Sequence, residues 1–417
     1  MPKKISILAL TLFSISHIAF TQVDTLKKVK SYQFIVLDKP AQLWSMRQFD
    51  QNYLSVYRLY STQLDKHFSK EASSMIQAFS MLFTLPLSHE EGHRSILTQN
   101  NIGSISKPYY NSKGAAYVIG VKDSDLQDLR DTDLPTYIRL HTSGLESDYM
   151  ISLATERLLT FEEEDFRIVG VEYLLRKLTM ISYYFTSAFK SLSPNLEEEA
   201  DEKKRDIVGH DVYGAVRHIH RPDMPFFRYT DYDDLSSEER NFINRVAFRS
   251  LLSLLNPQLI SKRNFKVSNS VKGNIGFGYL MTPFGDKMDN NIWVMANSKT
   301  KLLFQNSVYQ NRSKLFYGFS TKLFDYPIDK NFWIDFAAHL WNQPLNLDFS
   351  TNRSSTGGLV SGMIKYGLNN KSNPGHFMTF DLGLQYKTFG FVPEEVIIGE
   401  AFSFRFGFSY NILTSNE

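Results

Sequence analysis

From about Asn264 onward the chain alternates apolar and polar residues with period two, and no other feature restricts its fold so strongly. In the last such run Phe402, Phe404, Phe406, Phe408 and Tyr410 share one face, while Ser403, Arg405, Gly407 and Ser409 share the other. Just before it, Met378, Phe380, Leu382, Leu384 and Tyr386 oppose Thr379, Asp381, Gly383, Gln385 and Lys387. Similar runs occur near Val271 to Met281, Ile292 to Ser298, Lys301 to Tyr309, Lys314 to Leu323, Phe332 to Trp341 and Gly358 to Leu368. They predict about eight antiparallel strands. Turn chemistry is expected at Asp289-Asn290-Asn291, Asn311-Arg312-Ser313, Asp329-Lys330-Asn331 and Asn369-Asn370.

Two architectures satisfy such alternation. In a membrane barrel the aromatic and aliphatic residues face lipid and the small or charged ones face inward. In a soluble barrel or sandwich the same apolar residues face a core. Many of the runs have the roughly 9 to 11 residues that a tilted strand needs to cross a bilayer. Over about Phe265 to Leu413 the pattern resembles the carboxy-terminal barrels of Gram-negative outer-membrane proteins. It departs from them in ending on Thr414 to Glu417 rather than on an aromatic residue.

The first residues read as an export signal. Lys3 and Lys4 precede an apolar stretch from Ile5 to Phe20, and Ala19-Phe20-Thr21 before Gln22 forms a cleavage site. The apolar run is shorter than the roughly 20 residues of a spanning helix. The expected organisation is therefore a signal peptide (1–21), a mainly helical domain (22–264) and an antiparallel β-barrel (265–417). This is an α+β chain, exported to the outer membrane or, if the sheet is soluble, to the periplasm. The net charge of +2 carries no nucleic-acid signature. With no cysteine there are neither disulfides nor thiolate metal ligands.

Between Ser45 and Leu255 the periodicity is helical. Segments are expected near Arg47 to Leu64, Ser69 to Leu85, Ser143 to Leu159, Asp165 to Leu192 and Ser236 to Leu255, the last opened by a Ser236/Glu239 capping box. Glu172, Arg176 and Lys177 argue against a spanning helix over Ile168 to Leu192 and read as a solvated face. A β-hairpin is expected over Tyr109 to Val121, and the charged run Glu197 to Asp206 as a solvated surface.

One short segment carries specific chemistry. His89-Glu90-Glu91-Gly92-His93 reads H-E-x-x-H. On a helix, residues four apart share a face, so both rings can aim at one ion, with Glu90 beside the open position. Ser88 and Glu91 suggest a capping box, so the motif is expected to open a short helix from Ser88 to Gln99. Gly92 would let another segment come close.

The motif resembles the zincin metallopeptidases. That resemblance implies Zn²⁺ held by His89 and His93, Glu90 as the catalytic base, and a peptide or protein substrate. It also implies a third ligand on a second helix. Glu146, in Ser143-Gly144-Leu145-Glu146-Ser147-Asp148, is the expected residue, with Asp148 or His141 as substitutes. Met150 stands where glutamate-type zincins place an acidic residue, and no metzincin extension follows His93. A second histidine group, His210, His218 and His220, could serve a metal or a substrate if His218 and His220 lay on a strand. The strand Ala115 to Val121 could pair with an extended substrate. The rival reading is a non-enzymatic outer-membrane barrel for transport, assembly or surface attachment, with an accidental H-E-x-x-H.

Overall fold

The computed structural model of the chain describes residues 28–109, 116–193, 198–368 and 375–414. The expected leader, residues 110–115 of the expected hairpin, the Asn369-Asn370 turn and the last three residues lie outside these. In chain order the first half comprises β1 (Lys28–Lys39), α1 (Met46–His67), α2 (Lys70–Gln99), β2 (Ile105–Lys107) and β3 (Tyr117–Ile119). Then come α3 (Asp123–Thr132), α4 (Leu134–Thr160), α5 (Phe166–Thr186), α6 (Asp211–His220) and α7 (Ser237–Ser250). The second half comprises β4 (Phe265–Lys266), β5 (Val271–Thr282), β6 (Gly285–Ala296), β7 (Thr300–Gln310), β8 (Leu315–Asp329), β9 (Phe332–Pro344), β10 (Ser354–Leu368), β11 (His376–Lys387) and β12 (Ala401–Thr414).

The alternating segments form one antiparallel sheet of ten strands, in the order β1-β12-β11-β10-β9-β8-β7-β6-β5-β4. It is not closed on itself: β1 and β4 are its ends. Two differences from the sequence reading stand out. Asp289, Asn290 and Asn291 lie inside β6, opposite Ser307, Asn306 and Gln305 of β7, rather than in a turn. Their side chains suit a turn, but Asp289 and Asn291 find cross-strand partners. Ser307 Oγ donates to Asp289 at 2.6 Å and Gln305 Nε2 to Asn291 at 2.8 Å. The strand β1, in turn, comes from ahead of the helices and pairs with the last strand, Lys28 opposite Thr414. A boundary at 264/265 is thus crossed by a strand pairing. It is crossed by a core as well: Leu145, Tyr149 and Leu153 of α4 pack in one cluster with Tyr279, Trp293 and Leu359.

The alternation holds, and the apolar face is the exposed one. On β11, Met378, Phe380, Leu382, Leu384 and Tyr386 are exposed, while Thr379, Asp381, Gln385 and Lys387 are buried. The buried polar groups pair with one another. Ser409 Oγ donates to Asp381 at 2.6 Å, and Lys365 Nζ lies 2.8 Å from Asp335. Helix α4, about 40 Å long at 1.5 Å per residue, packs on this polar side. Its Tyr149 hydroxyl donates to Asp289, and its Glu156 pairs with Lys177 of α5 at 2.8 Å.

An unpaired sheet edge leaves backbone groups in want of partners. Here side chains of the helices and of Asn256 supply them. On α1, Gln48, Asn52, Ser55 and Arg58 fall on one face at three- and four-residue spacing. Gln48 Nε2 donates to the carbonyls of Ile35 and Val36 at 3.2 and 2.9 Å. Asn52 takes the Ile35 N–H at 2.8 Å and returns a bond to its carbonyl at 2.9 Å. Ser55 and Arg58 donate to the carbonyls of Gln33 and Ser31, at 2.6 and 2.7 Å. At the other edge, Asn256 accepts the Phe277 N–H, Lys177 donates to the Phe277 carbonyl at 3.3 Å, and Tyr184 accepts the Met281 N–H at 3.4 Å. Between the edges the neighbours run β1, α1, α2, α5, the turn at Leu251–Leu255, β5.

The helices follow their periodicity, and the Ser236/Glu239 box forms with both its bonds. The motif helix does not begin at Ser88. It begins at Lys70, capped by Ser69, and runs through Pro86. Pro86 removes one backbone bond, but Ser73, Gln77, Met81, Leu85 and Ser88 form a buried stripe that holds the helix on its neighbours. The Ser88 hydroxyl therefore donates to the Leu85 carbonyl at 3.1 Å instead of capping. The expected solvated face of α5 is also reversed. Glu172, Arg176 and Lys177 are buried, and Glu172 and Arg176 pair with each other inside.

If α1 secures the β1 edge, Asn52→Leu removes two hydrogen bonds from Ile35, leaving its N–H unpaired while its carbonyl keeps Gln48. It should cost about 1–3 kcal/mol of stability per buried group left unpaired. Gln63→Leu, at an exposed α1 position, should stay within about 0.5 kcal/mol of the parent. Equilibrium unfolding of the purified variants measures both.

Candidate metal centre

The site lies where α2 crosses α4, and two glycines set that distance. A Cβ on Gly92 would stand 2.5 Å from the Ser143 carbonyl oxygen. One on Gly144 would stand 2.5 Å from His93 Nε2 and closer still to His89 Nε2. The expectation that Gly92 admits a second segment is met: the segment is the backbone of α4.

Both rings of the motif are pinned from behind. His89 Nδ1 lies 2.8 Å from Asp148 Oδ2, and His93 Nδ1 lies 2.6 Å from the Leu140 carbonyl. Both partners accept, so each Nδ1 carries the hydrogen and each neutral ring presents a lone pair at Nε2. Those two lone pairs converge on a carboxylate. Asp211 Oδ2 is 3.1 Å from His89 Nε2 and 3.6 Å from His93 Nε2. Metal bonds of 2.0–2.1 Å in a tetrahedron put ligands roughly 3.3 Å apart, and the observed separations bracket that value. His89, His93 and Asp211 are thus a group that could hold a metal ion, with donor atoms within 4.8 Å of one another.

The electrostatics agree. Burial opposes charge on His89, but Asp148 and Asp211 outweigh it and hold its pKa well above the ordinary value. Burial is likewise outweighed at His93, chiefly by Asp211. Burial would raise the Asp211 carboxyl, yet His93 and His89 hold it far below the usual carboxylate range. Three electron-rich atoms demand positive charge among them, as protons or as a cation. Glu90 is buried alongside. Burial pushes its carboxyl up to about 8 against the pull of His89 and His93.

The other sequence candidates fall elsewhere. Glu146 is outside the group: its carboxylate takes Arg139 on one side and the Glu394 N–H at 2.8 Å on the other. It stands two residues from Asp148, hence on the opposite side of α4. Asp148 touches His89 and accepts from Arg176, so it orients a ring rather than joining the three donors. His141 is buried against Tyr137 and His218, its ring pushed down to about 3 by burial. His218 and His220 lie on a helix and point apart. His218 faces His141, and His220 packs on Phe242 and Phe349 with its Nδ1 toward the Val216 carbonyl. His210, the N-cap of α6, stacks on Tyr213 with ring centroids 3.7 Å apart.

Asp211 is the residue that sequence reasoning missed. It is the first residue of α6, set by the buried loop before it. There Asp206 accepts the N–H groups of Val118, Ile207 and Gly209 at 3.3, 2.7 and 3.0 Å. Of the hairpin expected over Tyr109 to Val121, β3 falls in place, but its partner β2 lies ahead of Tyr109. The outer edge of β3 is used: Ile207 N–H donates to the Val118 carbonyl at 3.0 Å and Gly120 N–H to that of Lys203 at 2.9 Å.

Two substitutions probe the crossing. Gly92→Ala meets backbone and should destabilise the fold by about 1–3 kcal/mol, as overpacking does. Asp148→Asn keeps the shape but weakens the grip on His89, and should lower metal affinity by about 10- to 100-fold. Unfolding midpoints and competition with a chromogenic chelator read the two effects separately.

No family model matches the chain, and comparison with curated proteins and with solved structures finds no relative.

Proposed function

We propose that His89, His93 and Asp211 hold Zn²⁺ and that the chain is a zinc-dependent peptidase of the cell envelope, held in an outer membrane by its sheet. The observation that carries the reading is the convergence of two Nδ1-anchored histidines and one carboxylate, with Glu90 buried next to them. Asp211 takes the place expected for Glu146. Donors that are all nitrogen and oxygen suit zinc in a chain without cysteine.

Zinc, when bound, supplies a Lewis acid for the scissile carbonyl and a lowered pKa for its water. The chain does the rest. Asp148 and the Leu140 carbonyl fix the ring orientations, so both Nε2 atoms stay aimed. Glu90 takes the proton of the attacking water and returns it to the leaving amine. The class of substrate comes from the zincin resemblance of H-E-x-x-H. Since β3 is paired on both sides, the strand left for an extended peptide is β2, whose Ser106 hydroxyl donates to Glu91 at 2.6 Å.

The membrane reading rests on the sheet turned inside out. A polar interior with an exposed band of Phe, Leu, Tyr and Ile is the pattern of an outer-membrane barrel, and a soluble sheet would bury that band. Here the helices between β1 and β5 stand in for the missing strands of the ring. Among the described residues, no helix is long and apolar enough to cross a membrane by itself.

Purified protein should hold about one zinc per chain by elemental analysis. Asp211→Ala should lose it, while Glu146→Gln, which keeps one acceptor oxygen for Arg139 Nη2 and the Glu394 N–H, should retain it. Glu90→Gln should retain zinc yet lose activity on a degenerate peptide library by about 10² to 10⁴-fold. Full activity in Glu90→Gln, or no zinc in wild-type protein after reconstitution, defeats the enzyme reading.

For the membrane half, the protein should fractionate with outer membranes and migrate faster in detergent gels unheated than boiled. Recovery in the soluble periplasmic fraction without detergent would leave only a soluble sheet.

A further inference from the structure

We infer that α2 and α5 lie against bilayer hydrocarbon, so that the chain meets the membrane core on helices as well as on strands. This rests on the outer-membrane reading above and goes beyond it, because such a barrel meets lipid through strands alone.

Four observations carry it. The helices occupy the gap between β1 and β5, so their outer faces continue the outer face of the sheet. The α2 face is apolar like the sheet's, with Met75, Phe79, Leu82 and Phe83 exposed, Phe79 by 64% against 50% for Leu382 of β11, and past Arg167 the α5 face exposes Leu178 with the uncharged Thr179 and Ser182. On α2 the exposed stripe falls where i, i+4 and i+8 coincide, and no charged residue occurs from Ala72 to Ser88. Those 17 residues rise about 26 Å. That matches the roughly 25 Å apolar band of outer-membrane strands. Lys66, Lys70 and Glu71 mark its lower end.

The third observation is where α5 keeps its charges. Glu172, Arg176 and Lys177 all point inward, onto Tyr53, Asp148 and Glu156. Between Arg167 and Lys190 the helix shows no exposed charge. Water outside would reward the opposite arrangement, since burying an ion costs several kcal/mol before its partners repay it. The fourth is the sealing of both sheet edges by side chains of the helices and of Asn256, which is what a wall facing lipid requires of its backbone. A second copy of the chain could cover the same surface, but it would have to match the lipid-length band on α2 and then stop.

The chain has no cysteine, so single cysteines report cleanly. Phe79→Cys, Phe83→Cys and Leu178→Cys are compared with Leu382→Cys on the sheet and Ser313→Cys in a turn. Each is labelled with the fluorophore NBD, and the full chain is reconstituted into phosphatidylcholine vesicles. Doxyl-phosphatidylcholine should quench the three helix sites as strongly as Leu382→Cys, and iodide should quench only Ser313→Cys. Iodide quenching on the helices with lipid quenching at Leu382→Cys overturns the inference and leaves the membrane barrel standing. Iodide quenching at Leu382→Cys as well removes the membrane reading itself. Quenching of the helix sites by neither agent means protein covers them, and the inference fails in favour of a second copy.

Discussion

The crossing of α2 over α4 at Gly92 and Gly144 is the contact on which the rest of the molecule depends. A side chain at Gly92 would meet the backbone of α4, and one at Gly144 would meet the two histidine rings. With none, backbone lies on backbone, and three consequences follow from one approach. The Leu140 carbonyl reaches His93, Asp148 reaches His89, and the Nε2 edges of both rings lie over α4. The price is rigidity, since neither ring can turn without losing the acceptor behind it. That is the preorganisation a metal site needs from its surroundings.

From this crossing a polar network spreads through the helices. Asp148 holds His89 and takes Arg176, and Arg176 also reaches Ser88 and Glu172, which in turn accepts from Tyr53. Further along, Glu156 gathers Lys177, Asn256 and Tyr173. Buried ions are costly singly and tolerable when every donor and acceptor is engaged. Arg176 meets that condition with four partners of different origin. Polar pairs thus share the interior with the apolar cluster of Leu145, Tyr149, Trp293 and Leu359, in the helices and on the buried face of the sheet alike.

How much of this could be read from the residues follows from range. Period-two alternation is local, and it located β5, β7 and β9 to β12 to within a few residues and the start of β8, whose end at Asp329 lies well past the expected Leu323. The i,i+4 histidines are local too, and they mark the two rings that the structure brings together. What could not be read was anything set by packing across the chain. Alternation names two faces without saying which one is inside, and Asp289 to Asn291 look like a turn until Ser307 and Gln305 stand opposite them. Glu146 and Asp211 are both acids in helices, and no spacing rule distinguishes them. Only the turn of α4, which carries Glu146 away toward Arg139, and the loop that ends at α6 decide the matter. The charges of α5 misled for the same reason: their inward partners come from other helices.

The pairing of β1 with β12 has a consequence for the order of events. Its register ties Lys28 to Thr414, nearly the full span of the chain. Every other strand neighbour in the sheet is also its neighbour in sequence. The meander from β4 to β12 can therefore grow by short-range steps, while the β1 contact must wait for the last strand to exist and then closes the longest loop in the molecule. Until then α1 has no docked strand to cap and only its helix neighbours α2, α4 and α5 to pack on. Docking of β1 and α1 on the sheet is thereby coupled to the arrival of β12. A chain cut short before β12 would leave β1 without its strand partner and its unpaired edge open to association with other chains.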